Sequence, residues 1–245
     1  MIRILSLFLS VWILQIPLFA AETIQYQLDF NKVIDSIQFS SSVGLLIALG
    51  SISLIPFFLF STTSFLRIVI VMSMIRSAIG IQQTPPNAVL ISLATFLTIF
   101  VMAPTFSKIQ QQAVIPYTSG KISQGEAINA GLQPFREFML NVTREKDLAL
   151  FIEFSRIKNI NSSDDIPIFV IIPSFIISEL KASFQIGFLL FIPFVVIDLI
   201  VSNILLSLGM FMLSPVMISL PFKILLFVLA DGWNLITKGL ILSFV

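Results

Sequence analysis

Five ionisable side chains, Glu179, Lys181, Asp198, Lys223 and Asp231, are set into a stretch that is otherwise apolar, 179–233. A charge at the centre of a bilayer costs at least about 2.5 kcal/mol, so each must face protein, an opposite charge or water. Two chemistries fit such residues. Asp198 and Asp231 could form a carboxylate pair or a proton relay. Alternatively the charges pair with one another and fix which surfaces meet, within or between subunits. Three acidic residues (Glu179, Asp198, Asp231) and three basic ones (Lys181, Lys223, Lys238) occupy 166–245. That balance favours structural ion pairs, with Asp198 and Lys223 the preferred partners.

Other chemistries are closed off. The chain contains no His and no Cys, which removes imidazole bases, thiolate nucleophiles, disulfides and most transition-metal sites. It has no Walker-type phosphate loop, so a nucleotide would have to be handled by another protein. Neither an enzyme nor a bound cofactor is expected. A net charge of +1 assembles no basic face for nucleic acid. One further oddity stands out, Leu208-Gly-Met-Phe-Met-Leu213. Methionine on a helix is ordinarily a flexible gap-filler of the core. Here Gly209 precedes Met210, Phe211 and Met212, and Ser214-Pro215 follows, so the soft side chains sit on a breakable segment.

The elements that carry these residues belong in a membrane. Hydrophobic residues make up 57% of the chain and charged ones 11%, with mean hydropathy +1.02; soluble domains carry about 25% charge. The class is all-α integral membrane protein, with helices kinked or broken at prolines such as Pro193, Pro215 and Pro221. Residues 1–21 read as a signal peptide: Arg3, an apolar core from Ile4 to Leu14, then small residues at Ala20 and Ala21. An uncleaved first helix is the alternative. Residues 22–42 form a polar extracytoplasmic segment, and 43–106 a first helical hairpin bent at Pro56, turned by QQTPPN and ended by Pro104. Arg67 and Arg76, nine apart, fall on opposite sides of a regular helix and read as separate positive-inside anchors. Within 107–165 seven basic and seven acidic residues cancel. Lacking the basic excess of a cytoplasmic loop, this helical segment is expected outside. Residues 166–245 make a C-terminal hairpin with spans at Gly187–Leu208 and Leu220–Leu242, for four hydrophobic spans after the signal.

Several words in this chain are specific in combination: TSFLRIVIVMSMIRSAIG at 63–80, PPN at 85–87, and ELK, IPF, GMFM, SLPFK and FVLADGW within 179–233. In them the chain resembles the FliP/SctR family of type III secretion export-gate proteins, over about 43–245. A signal ahead of the core resembles the flagellar branch more than the injectisome branch. The resemblance implies a non-enzymatic gate subunit in the bacterial inner membrane at the flagellar basal body, in contact with lipid. It implies a pentamer of FliP-type copies that assembles with FliQ, FliR and other export components into a helical, pore-forming ring. Unfolded flagellar subunits would be the cargo. It implies further that assembled subunits rise largely out of the bilayer, so the span count describes the sequence and not a topology. The methionine-rich constriction of the family falls on Gly209, Met210, Phe211 and Met212, with Phe211 where many relatives carry another Met. Two competing readings remain: a secondary transporter whose Asp198 binds a coupling ion between broken helices, and a scaffold that only nucleates assembly.

Overall fold

A computed structural model describes residues 50, 53–54, 56–81, 84–155, 157, 162 and 165–244. The signal peptide and the 22–42 segment lie outside the described residues. Among the described residues the structure is helical, without strands. The helices are α1 (Pro56–Thr62), α2 (Phe65–Ile79), α3 (Asn87–Thr118), α4 (Gln124–Val142), α5 (Glu145–Ser155), α6 (Ile168–Ser207), α7 (Pro215–Leu229) and α8 (Gly232–Leu242).

The central element is α2. Ile68, Val71, Met72, Ile75, Ala78 and Ile79 recur at three- and four-residue spacing and are all buried, so one helical face seeds a core. Leu90 and Ala94 of α3, Phe194 of α6, Phe227 of α7, and Ile236 and Leu240 of α8 close around it. Its end is set by Gly80, whose φ of 90° is reached at little cost only without a Cβ. The Gly80 and Ile81 amides then satisfy the carbonyls of Ser77 and Arg76.

The other organising element is α6. Forty residues in one helix reach about 60 Å, twice the apolar thickness of a bilayer. Its C-terminal part joins the core around α2, while Val170, Ile171 and Phe175 in its first turns join Met139 of α4 in a second core. Small residues at Ser174, Ser178, Ala182, Ser183 and Gly187 let other helices approach closely. A Cβ added at Gly187 would lie 2.2 Å from the Met74 sulfur, which fixes the contact with α2. Arg67 faces Glu179, Met74 faces Gly187, and Lys223 touches both Ala78 and Asp198. The numbers rise together, so α2 and α6 run parallel.

Two expectations about breaks are corrected. Pro104 does not end α3, which continues to Thr118 through a π-helical turn at Gln110–Val114. Neither does Pro193 break α6, which also contains Pro173, nor does Pro221 break α7. Each proline removes one backbone donor, which a long, packed helix absorbs; beside Pro173, the Ser174 hydroxyl donates to the carbonyls of Val170 and Ile171. The real bends fall between helices, 80° between α1 and α2 and 62° between α7 and α8. Two helices, α3 and α6, are long and apolar enough to cross a membrane, or up to four if each bent pair is one span. The all-α membrane class therefore holds, and the Gly187–Leu208 span is the latter half of a longer helix.

Candidate functional site

The structure sorts the sequence-marked charges onto separate anchors along α6. Glu179, fully buried, accepts from Arg67 Nε at 2.9 Å and from Arg67 Nη2 in a bidentate pair. Arg67 is itself buried and paired, which corrects its reading as a positive-inside anchor. Its Nη1 donates to the carbonyl and the hydroxyl oxygen of Ser243, each at 2.9 Å, and the Phe244 ring lies 4.0 Å from the guanidinium. Four hydrogen bonds and an aromatic face thus engage the cation, the kind of compensation a desolvated charge requires. Phe244 also stacks on Phe138, which in turn meets Phe175 edge-on, so this clamp joins the two cores.

Lys181 does not pair with its near neighbour Glu179. It pairs with Asp147 of α5, a buried carboxylate. Beside it the Arg144 amide donates to Ser178 Oγ at 3.0 Å, and its guanidinium to Gln185 at 2.5 Å. Together these fasten the start of α5 to α6. Asp198 accepts from Lys223 Nζ at 2.7 Å and from Ser219 Oγ at 2.5 Å. Lys223 also donates to the Ala78 carbonyl at 3.3 Å, which ties α7 to the end of α2 as well. Asp231 is exposed and takes no ion pair among the described residues; with φ 50° and ψ 49° it turns the chain from α7 into α8. The Asp198–Asp231 pair weighed above is therefore not assembled. Among the described residues no group of acidic side chains could hold a metal ion.

The methionine segment forms the tip between α6 and α7. Gly209, at φ 70°, stops α6: its amide bonds the Leu206 carbonyl and the Met210 amide that of Leu205. Pro215 at the first turn starts α7. The few residues between turn outward. Met210 is half exposed, Phe211 is 76% exposed and Met212 is fully exposed. The ordinary expectation for a methionine cluster, burial in the core, does not describe this chain fold. Large apolar side chains without cover are a surface awaiting a partner or a partner copy.

Sequence reasoning gave Arg67 another role and did not single out Asp147, Ser243 or Phe244. The available signal was Glu179 itself, a carboxylate in an apolar stretch that needs a cation beside it.

The comparisons with known proteins agree with one another. The sequence model of the FliP family matches residues 48–240. The "Flagellar biosynthetic protein FliP" of Bacillus subtilis (strain 168) is 54% identical over 205 residues, covering 84% of this chain and 93% of that protein. The protein of that name from Pectobacterium carotovorum subsp. carotovorum is 48% identical over 203 residues, covering 83% and 79%. That of Borreliella burgdorferi (strain ATCC 35210 / DSM 4680 / CIP 102532 / B31) is 46% identical over 220 residues, covering 89% and 86%. With a family model matching residues 48–240 and relatives this similar over most of their own length, the chain belongs to the FliP family.

Proposed function

We propose that this chain is a pore-forming subunit of the flagellar type III export gate and that it passes unfolded flagellar subunits across the bacterial inner membrane. Membership of the family places it among flagellar export components, which are structural and transport proteins and not enzymes. In this reading five copies assemble with FliQ and FliR at the basal body. The observation that carries the pore is the tip: Met210, Phe211 and Met212 project uncovered from a loop held by Gly209 and Pro215. A secretion pore must admit chains of varied sequence and still retain ions when idle. Unbranched thioethers suit both, since they re-pack around different shapes and exclude water when collapsed together. The engagement of Asp198 by Lys223 and Ser219 supports an architectural use of that carboxylate over ion coupling.

The test replaces Met210 and Met212 together with Ala and measures small-ion leak across the inner membrane alongside flagellin export. Leak with export still running is the expected result. A tight membrane with normal motility would return these side chains to ordinary packing.

A further inference from the structure

A cleft of about 470 Å³ opens where α2 ends, between it, α6 and the start of α7. Its wall holds two cations, Arg76 and Lys223, and one carboxylate, Asp198. Lys223 is 4% exposed and uses two of its three N–H groups, on Asp198 and the Ala78 carbonyl. Arg76 spends only Nη1, on Asn87 Oδ1 at 2.5 Å and the Pro85 carbonyl at 3.3 Å. Its Nε and Nη2 make no hydrogen bond among the described residues. The cleft thus has surplus positive charge and donors in a fork, the arrangement that matches a phosphate.

The cleft does not end at its charges. Ser77 and Phe191 are shared with a second groove of about 360 Å³, which follows the outer side of α2 past Met74, Ser73, Ile70 and Val69. That groove is almost wholly apolar. An anionic head beside Arg76 and Lys223 and a hydrocarbon chain along Val69 to Met74 would fill the two together. We infer that this continuous cleft and groove is a binding site for one anionic phospholipid, with its phosphate at Arg76 and one acyl chain along α2. The place suits such a ligand, because in the sequence the apolar α2 is followed by the polar run QQTPPN. None of Met210, Phe211 and Met212 lines this site, and it does not depend on the pore reading.

Native mass spectrometry of the full chain in detergent, titrated with phosphatidylglycerol, measures the retained lipid. Phosphatidylcholine, zwitterionic and without net charge, is the comparison. Wild type should hold one phosphatidylglycerol per copy more tightly than phosphatidylcholine. Arg76→Gln, and Ser77→Asp which adds a negative charge to the cleft wall, should each weaken phosphatidylglycerol about fivefold, the effect of one charge at a membrane surface. Ser73→Trp should displace both lipids, since it blocks the chain groove. Equal retention in every variant would overturn the proposal. So would an unchanged Ser73→Trp protein, or displacement of lipid by inorganic phosphate, either of which describes a small-anion site. A photoreactive residue at Ser73 that couples to another copy's polypeptide instead of lipid would also overturn it. If Ser73→Trp does not fold, the two charge variants still decide the question.

Discussion

Arg67 has a bidentate carboxylate on one side, a backbone carbonyl and a hydroxyl on another, and an aromatic face above. Removing it leaves Glu179 buried and unpaired. Arg67→Ala should therefore cost about 3–5 kcal/mol, read as a lowered melting temperature in detergent. Replacing both partners with apolar residues, Arg67→Met with Glu179→Leu, should recover most of the loss. A single variant that melts like wild type would show the pair to be dispensable. At the exposed start of α4, the Ser123 amide and hydroxyl beside Glu126 hold its carboxyl below the usual glutamate value. A depressed carboxyl stabilises above its unfolded value and loses that contribution as pH falls through the folded one. Protection of the Glu126 and Ala127 amides against exchange, taken relative to the intrinsic rate at each pH, should fall in mild acid, and Ser123→Ala should remove that dependence. Arg67 was hidden in the sequence because its partner is 112 residues away and nothing local distinguishes a buried cation from an interfacial one. Asp198 and Lys223 were easier to consider together, being 25 apart across a single turn of the chain.

At the scale of elements, the bend made at Asp231 between α7 and α8 also depends on the missing Cβ of its neighbour Gly232. A Cβ on Gly232 would lie 2.3 Å from the Phe227 ring, which is itself packed edge-on against Trp233 at 5.3 Å. The ring cannot retreat, so Gly232→Ala should destabilise by about 1–3 kcal/mol through overpacking. A melting curve decides it; an unshifted midpoint would mean the ring swings aside. Helix identity was legible from the spacing of Ile68, Val71, Met72 and Ile75. Helix boundaries were not. Pro104, Pro193 and Pro221 look like stops in the sequence, whereas turns are made at Gly80, Gly209 and Asp231, whose backbones take positive φ. Proline only weakens a helix by one bond, while a left-handed residue redirects the chain.

For the whole molecule, hydropathy located the apolar elements but could not say which of them pair. The side of the membrane taken by 107–165 is likewise a matter for experiment. We propose the outer side, on its balance of charge. Absence of cysteine makes the measurement clean: Ser119→Cys, exposed after α3, should react with an impermeant maleimide once the outer membrane is opened. Labelling only after the inner membrane is lysed would reverse the placement.

Parallel packing of α2 on α6 also has a consequence in time. Glu179 is translated 112 residues after Arg67, a delay of roughly 6–20 s at ordinary rates of synthesis. A helix itself forms in microseconds or less. During that interval α2 is a finished helix carrying a cation with no acceptor, and lipid will not accept it. The nascent chain must therefore hold α2 at the water boundary, or in the keeping of an insertion factor, until α6 emerges. Export-gate biogenesis would then have its slow step inside a single polypeptide, before any two copies meet.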